Sequence, residues 1–259
     1  MKSKIPHSLA FASGAMIIYK FGYPAPEVSP DISPFVVKLE TWLRMSGIPY
    51  ESRTGPNQAM PHEKLPVADI DGELVPDSSL IIQRLLQLYP QAISDKHLSE
   101  TERAQACALT ALIEQHLYFA LLHNRYSVQS NFNAYKPLLL DYAMRSVPAW
   151  QKPLLSILSP LIFPVVQRKY RQMAWQQGTG RHKIEDIHAT GIEGWKSIKT
   201  ILGAKPFLMG GQPCLVDMSA FGFLHAEIRH PFAGRMHDYV MSEPALVDYH
   251  DRIWNRYWK

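Results

Sequence analysis

Residues 33–50 read SPFVVKLETWLRMSGIPY, and this stretch indicates how the first half of the chain folds. Apolar side chains recur at helical spacing from Phe35 onward, which predicts a helix over Pro34–Ser46. Ser33 can cap the start of this helix, and Gly47 suits the left-handed residue just past its end. The flanking sequence carries strand signals on both sides of this helix.

Signals on both sides of the helix predict five further elements. They are strands at Met16–Lys20, Ile48–Glu51, Val67–Ile70 and Glu73–Val75, and a helix at Ser78–Leu88. Asp71-Gly72 between the last two strands is a strong hairpin signature. The order βαβ, loop, ββα is that of a compact α/β domain of about 75 residues.

The second half of the chain is predicted to be all-α. Long helical patterns cover Thr101–Tyr126, Ile184–Leu202 and Val216–Ile228, and no strand alternation follows Ser99. The domain organisation predicted from these patterns is a flexible leader at 1–15, an α/β domain at 16–92, a linker at 93–100 and an all-helical domain at 101–259.

Composition excludes several classes of protein. The 27 basic residues exceed the 23 acidic ones only slightly, which is far from a nucleic-acid-binding composition. The two cysteines, Cys107 and Cys214, form neither a disulfide framework nor a CxxC motif, and the histidines show no metal-ligand spacing, so no metal is expected. Met1–Ala15 does not look like a secretory signal, and a cytoplasmic location is expected.

The longest apolar stretch is Leu154–Val166, which is interrupted by two serines and two prolines. At 13 residues it is shorter than the roughly 20 that a membrane-spanning helix needs. Two interpretations remain: a core helix with a solvated basic end, which the composition favours, or a peripheral contact with a membrane, since Arg168, Lys169 and Arg171 follow directly.

Several short motifs, in this order and spacing, resemble the N-terminal domain of glutathione transferases. They are Ser33-Pro34-Phe35, Gly47-Ile48-Pro49-Tyr50-Glu51, Lys64-Leu65-Pro66 and Asp77-Ser78. Residues 205–217 resemble the family's second domain, and residues 33–50 and 178–182 look most like its metaxin and failed-axon-connections branch. The resemblance implies the glutathione-transferase fold: an α/β thioredoxin-like N-terminal domain plus an all-α C-terminal domain.

The resemblance also implies a glutathione site. Leu65-Pro66 matches the family's cis-proline, whose preceding backbone pairs with the cysteinyl unit of glutathione; an ordinary trans proline is the alternative. Asp77 and Ser78 match the pair that binds the γ-glutamyl ammonium and carboxylate, although the same two residues suit a plain helix cap. Lys64 is a candidate for the glycyl carboxylate or simply a solvated charge.

Ser33 occupies the family's catalytic position at the start of the first helix, where its hydroxyl would stabilise the glutathione thiolate. Its alternative role is an N-cap before Pro34. Because Ser33 is not a cysteine, the resemblance implies conjugation in preference to mixed-disulfide chemistry. The proline-containing segment Gly22–Ile32 is longer than the family's usual connection and is expected to cover or reshape the site.

A pocket for the electrophile is expected between the two domains. Candidate lining residues are Tyr118, Phe119 and Tyr126 on the first long helix of the second domain, together with Tyr23 in the Gly22–Ile32 segment. An aromatic stripe at helical spacing is also typical of a core. Asp217 is expected to be structural, at the start of a buried helix, and Arg181 and His182 are either a functional pair or an exposed turn.

Two functions follow. The first is a glutathione transferase that adds the glutathione thiolate to a small apolar electrophile, with glutathione as co-substrate and a homodimer as a possible assembly. The second is a non-catalytic binding or membrane-assembly module of the same fold, similar to metaxins.

Overall fold

The computed structural model describes residues 16–259, and the predicted leader at 1–15 lies outside the described residues. The first domain contains the strands β1 (Ile17–Lys20), β2 (Glu51–Thr54), β3 (Val67–Ile70) and β4 (Glu73–Pro76), and the helices α1 (Pro34–Ser46) and α2 (Ser78–Leu88). The sheet order is β2-β1-β3-β4, with β1 and β2 parallel and the other pairs antiparallel.

The second domain, as far as the structure describes the chain, consists of helices. They are α3 (Glu100–Ala111), α4 (Tyr118–Ser127), α5 (Gln129–Ser146), α6 (Lys152–Gln177), α7 (Ile184–Leu202), α8 (Leu215–Arg229), α9 (Arg235–Ser242) and α10 (Pro244–Tyr257). A π-helical turn, Leu112–Leu117, joins α3 to α4, so the single long helix predicted over Thr101–Tyr126 contains a widened turn. This is the glutathione-transferase fold that the motifs implied.

The second strand was predicted at Ile48–Glu51, which is wrong by three residues. Gly47 adopts a left-handed conformation (φ 68°), and the Ile48 N–H donates to the Leu43 carbonyl at 3.0 Å. Ile48 therefore completes the C-terminal cap of α1 and is not free to pair with a strand. The parallel ladder starts at Glu51, opposite Ile17.

Helix α1 is the element shared by the two domains. Its Leu39, Trp42 and Leu43 side chains pack in the core of the first domain, while Val37 belongs to the core of the helical domain. A Cβ atom added at Gly222 of α8 would lie 2.5 Å from the Pro34 carbonyl oxygen. The backbones of α1 and α8 thus approach each other more closely than any side chain would allow.

Asp217, in the first turn of α8, has the structural role expected of it. Its buried carboxylate accepts hydrogen bonds from the backbone N–H groups of Leu208 (2.8 Å) and Cys214 (2.9 Å) and from the Tyr249 hydroxyl (2.8 Å). One carboxylate therefore joins the loop before α8, the start of α8 and helix α10.

The preferred interpretation of Leu154–Val166 as a core helix is wrong. These residues lie on α6, but most of their aliphatic side chains are exposed. The side of α6 that faces the protein carries Phe163, Val166 and Tyr170, which pack against the cluster around Tyr126. Sequence periodicity could not reveal this, since α6 is apolar on both sides.

We predict that Gly222→Ala lowers the free energy of unfolding by about 1–3 kcal/mol, because the methyl group would collide with the α1 backbone, which has little room to move. Chemical denaturation of the purified variant measures the loss. Gly211→Ala is the matched control, since an added Cβ there meets no atom within 4 Å. Equal stability of the two variants would contradict the close packing of α1 on α8.

Candidate functional site

The strand register brings the predicted glutathione-binding segments to one edge of the sheet. Tyr19, near the end of β1, lies opposite Val67, and Val67 lies opposite Pro76. Leu65-Pro66 therefore precedes β3 at the same edge where β1 ends and where Asp77 follows β4. Because β1 and β2 are parallel and α1 connects them, the start of α1 at Ser33 also belongs to this edge.

The Leu65-Pro66 peptide bond is cis, as the resemblance implied. Both residues are buried. Within residues 16–259, the Leu65 N–H has no hydrogen-bond partner, whereas the next residues join the β3 ladder. A buried backbone donor without a partner is rare, so this position can accept the backbone of an extended ligand at little cost.

Asp77 serves as the N-cap of α2. It has a positive φ of 69°, and its Oδ1 accepts hydrogen bonds from the N–H groups of Ser79 (2.8 Å) and Leu80 (3.4 Å). The side chain is exposed, so its second oxygen can still meet a cation. Ser78 is buried at the first position of α2. Lys64, which directly precedes Leu65, is exposed.

The hydroxyl of Ser33 does not cap α1. The Ser33 N–H donates to Asp31 Oδ1 at 2.8 Å, and the Ser33 carbonyl accepts from Val37 at 3.1 Å, but the side chain makes no capping bond. Among the described residues, the Ser33 hydroxyl forms no hydrogen bond. The residue is only 8% exposed, so little of its surface is open to a ligand.

Asp31 fixes the segment that leads to Ser33. Its carboxylate accepts hydrogen bonds from the N–H groups of Gly22 and Ser33, and so ties together the two ends of the Gly22–Ile32 loop. Burial raises the pKa of Asp31 to about 7, although the Lys20 ammonium and the two N–H donors oppose this shift. The sequence pattern did not identify this residue, because one aspartate in a proline-containing loop has no distinctive signal.

A chain of polar side chains connects this loop to the C-terminal helices. The Ser29 hydroxyl donates to the Asp31 carbonyl (2.8 Å) and lies 3.0 Å from His225 Nε2. His225 Nδ1 lies 3.1 Å from His250 Nε2, and His250 Nδ1–H donates to Asp251 (2.8 Å). The chain therefore joins the loop, α8 and α10.

Burial keeps the histidines of this region neutral. It lowers the pKa of His250 to about 4, although Asp251 opposes the shift, and that of His230 to about 3. The pKa of His225 is also lowered well below its ordinary value, first by burial and then by its cationic and histidine neighbours. At neutral pH these rings act as hydrogen-bonding groups without charge.

The predicted pocket aromatics fall into two environments. Tyr118 is half-buried and makes an edge-to-face contact with Phe35 of α1 (5.2 Å between ring centroids), and Phe119 packs against it. Tyr126 is buried and stacks on Tyr170 of α6 at 4.1 Å. Of the predicted pocket aromatics, Tyr118 is the one with a ring contact to α1 among the described residues.

Tyr23 and Arg125 contact the residues that surround the end of the Gly22–Ile32 loop. The Tyr23 ring stacks on His230 at 5.5 Å. The buried Arg125 donates to the carbonyl of Ile32 (3.2 Å), the residue before Ser33, and its guanidinium lies 4.8 Å from the centroid of the Phe232 ring. The sequence analysis did not identify Arg125. The signal that could have found it is a charged residue within the aromatic stripe of α4.

Among the cavities that the described residues line, two lie away from Ser33. One, of about 460 Å³, is lined by residues that include Lys20, Glu40, Arg44 and Trp258; Lys20 pairs with Glu40 at 2.8 Å, and Arg44 lies 4.1 Å from the Trp258 ring centroid. The second, of about 320 Å³, is lined by Gly178, Thr179 and His182 among others.

Arg181 does not join His182 at that second cavity. Its Nε donates to the Trp175 carbonyl at 3.0 Å, and its guanidinium lies 5.7 Å from the centroid of the Trp175 ring. The arginine thus caps the end of α6, while the histidine lines the cavity.

The histidine chain predicts an acid-dependent loss of stability. His250 is neutral when folded, with a pKa of about 4, but protonates near pH 6.5 when unfolded. Its contribution is complete above about pH 6.5 and is lost as the pH falls towards 4, by up to ~3 kcal/mol. We expect the loss of unfolding free energy between pH 7.5 and 5 to be smaller in His250→Gln than in the wild type.

Chemical denaturation of both proteins at the two pH values measures this difference, and titration of buried acids such as Asp31 cancels in the comparison. His62→Gln, at an exposed position, is the control and should keep the wild-type pH dependence. An unchanged pH dependence in His250→Gln would contradict the neutral state of the buried ring.

Comparison with family models gives two matches. The glutathione S-transferase N-terminal domain model matches residues 34–132, and the glutathione S-transferase C-terminal domain model matches residues 192–253. Together these ranges cover more than half of the chain.

Three curated relatives each match most of this chain. An isoprene-epoxide–glutathione S-transferase from Rhodococcus sp. (strain AD45) is 30% identical over 247 residues, which cover 93% of this chain and 99% of the relative. Failed axon connections from Drosophila melanogaster is 28% identical over 92% of this chain and 57% of its own length. A metaxin-1 homolog from Caenorhabditis briggsae is 26% identical over 74% of this chain and 58% of its own.

Solved structures share the fold at low sequence identity. The beta-etherase LigF from Sphingobium sp. strain SYK-6 has a TM-score of 0.61 at 17% identity, covering 94% of this chain and 96% of that one. A glutathione S-transferase of Ceriporiopsis subvermispora, in complex with glutathione, has a TM-score of 0.58 at 15% identity, covering 93% and 99%.

Proposed function

Since this chain belongs to the glutathione S-transferase family, in its metaxin-like branch, we propose that it binds glutathione and transfers the thiolate to a small apolar electrophile. The observation that carries this proposal is the state of Ser33. Its hydroxyl stands at the start of α1 without a hydrogen bond to any described residue. A helix N-terminus with a free hydroxyl donor suits a thiolate.

The groups at the sheet edge match the parts of glutathione. The unpartnered N–H of Leu65 would pair with the cysteinyl backbone, and the free oxygen of Asp77 would meet the γ-glutamyl ammonium. Ser78, at the start of α2, would receive the γ-glutamyl carboxylate, which the helix dipole favours. Lys64 and Pro66 complete this proposed site, with Lys64 directed to the glycyl carboxylate.

Activation of the thiol sets an energy requirement. Lowering a thiol pKa from about 8.5 by two units takes roughly 2.7 kcal/mol in favour of the thiolate. The dipole of α1 contributes about 0.3–1 kcal/mol. A hydrogen bond from the Ser33 hydroxyl to the charged sulfur adds about 1.5–3 kcal/mol. The two together are sufficient, whereas the dipole alone is not.

We propose an epoxide as the electrophile, because the relative that is 30% identical is an isoprene-epoxide–glutathione S-transferase. The thiolate sulfur would attack one ring carbon, the carbon–oxygen bond would break, and the oxygen would take up a proton. Burial raises the pKa of Tyr118 above its ordinary value, so its phenol stays protonated and can donate to the developing alkoxide. Phe119 and Tyr23 would form apolar walls around it, whereas Tyr126 is buried against Tyr170 and would not line it.

One observation favours the alternative, a non-catalytic module similar to the metaxin and failed-axon-connections relatives. Ser33 is only 8% exposed, and Asp31 holds the preceding loop, Gly22–Ile32, at both of its ends. A non-catalytic protein of this fold does not need to admit a ligand to Ser33. Measurement of glutathione binding separates the two functions.

We predict that Ser33→Ala leaves stability within about 0.5 kcal/mol of the wild type, because no capping bond is lost. The same change should raise the pKa of the bound glutathione thiol by one to two units and lower the conjugation rate at neutral pH about tenfold or more. Ultraviolet absorbance of the thiolate as a function of pH measures the pKa. A wild-type thiol pKa in the variant would remove Ser33 from the mechanism.

A pair of substitutions at Asp77 separates its cap from its charge. Asp77→Asn keeps an oxygen for the Ser79 N–H and tolerates a positive φ, so stability should be retained while glutathione affinity falls about tenfold or more. Asp77→Ala should lose both affinity and about 1 kcal/mol of stability. Calorimetric titration with glutathione provides the affinities, and equal affinity in Asp77→Asn and the wild type would exclude the ammonium contact.

A further inference from the structure

The largest group of exposed apolar side chains lies on α6. We call it the α6 apolar face, and it consists of Leu154, Ile157, Leu158, Leu161, Ile162 and Val165. Ile157 is 74% exposed, Leu161 71% and Val165 68%. Six large aliphatic side chains at helical spacing form a continuous patch, and soluble monomers rarely expose such a patch without a partner.

The orientation of this face is fixed by the other side of the helix. Ser159 and Ala174 are buried, and Phe163, Val166 and Tyr170 pack against the cluster that includes Tyr126. Gln167 also donates to the Tyr126 carbonyl at 3.0 Å. Helix α6 is therefore docked on the protein along its length, and the apolar face points away from it.

The charge of this region is of one sign. Residues 142–184 contain seven lysine and arginine residues and not one aspartate or glutamate. Four of the cations lie on α6, at Lys152 before the apolar face and at Arg168, Lys169 and Arg171 after it, and all four are exposed. Of these four cations, only Lys169 forms an ion pair with a described residue, Glu63, at 3.8 Å.

Tryptophans stand at both ends of the helix. Trp150 lies just before α6 and is 76% exposed, and Trp175 lies in its last turn and is also exposed. Exposed tryptophan next to an aliphatic surface and basic residues is typical of helices that lie in a membrane interface, where the ring spans the boundary between headgroups and acyl chains.

We propose that the α6 apolar face binds the surface of an anionic lipid bilayer. The aliphatic side chains would enter the upper acyl region, and the cations at both ends would meet acidic headgroups. The stretch Ala149–Gln177 is long and apolar enough to cross a membrane. However, one side of α6 is packed against the protein, so the geometry is that of a helix lying in the plane of the bilayer.

Charge argues against a second copy of the chain as the occupant. If two α6 helices paired antiparallel through their apolar faces, Lys152 of one copy would lie near Arg168 of the other. No acidic residue within 142–184 is available to compensate this repulsion. An anionic surface satisfies both the apolar and the basic parts of the patch.

The test is flotation of the full-length protein with two kinds of vesicle, phosphatidylcholine alone and phosphatidylcholine with roughly a third phosphatidylglycerol. We expect binding to the anionic vesicles that weakens as salt concentration rises. Ile157→Ser/Leu161→Ser/Val165→Ser should reduce binding about tenfold or more. Arg168→Gln/Arg171→Gln should reduce binding to the anionic vesicles by a similar factor, with little effect on stability.

Leu74→Ser/Leu80→Ser/Leu88→Ser is the matched control, because these leucines are also exposed but lie in the first domain. Binding equal to that of the wild type is expected. Light scattering of every variant reports its oligomeric state. Absence of binding to anionic vesicles, equal loss in the control, or conversion of a dimer to a monomer by the α6 substitutions alone would each overturn the proposal.

Discussion

The contact between α1 and α8 is the constraint on which the remaining structure depends. Helix α1 belongs to the first domain by sequence, yet its Val37 lies in the core of the second, and only a glycine at position 222 lets α8 approach its backbone. The same contact brings a charge into the interior. Lys38 is buried and pairs with Glu114 at 2.7 Å, and it also donates to Ser79 of α2 at 2.6 Å.

Further hydrogen bonds support that buried pair. The Ser219 hydroxyl of α8 donates to the same Glu114 oxygen, so α1, α2, α8 and the π-helical turn meet at one network. Loss of either Lys38 or Glu114 would leave the other charge buried without its counter-charge, which costs several kcal/mol of stability. The widened turn at Leu112–Leu117 is where the chain places Glu114 for this contact.

Much of the first domain could be predicted from local signals. Asp71-Gly72 specified the hairpin and Gly47 the end of α1, since each depends on the conformation of one or two residues. The cis Leu65-Pro66 bond was implied by the family resemblance and not by a local signal. The environment of Ser33 could not be predicted in this way. Asp31 and its partner His230 are separated by 199 residues of sequence and come together only in the tertiary structure.

Exposure was equally inaccessible to sequence patterns. Leu154–Val166 has the composition of a core helix, and periodicity cannot tell a buried apolar face from one directed outwards. How much of α6 is covered depends on which helices pack against it. In this fold α4 and α5 cover one side only, which leaves the other to solvent or to a partner.

The close approach at Gly222 has a mechanical consequence. Many two-domain enzymes open by rotation about a hinge, but here α1 is a wall of both domains and cannot rotate with one without breaking the core of the other. Any wider exposure of Ser33 therefore has to come from local movement of the chain around it, such as the Gly22–Ile32 loop, which Asp31 holds at both ends. The rate at which this loop opens would then limit how fast any ligand reaches Ser33.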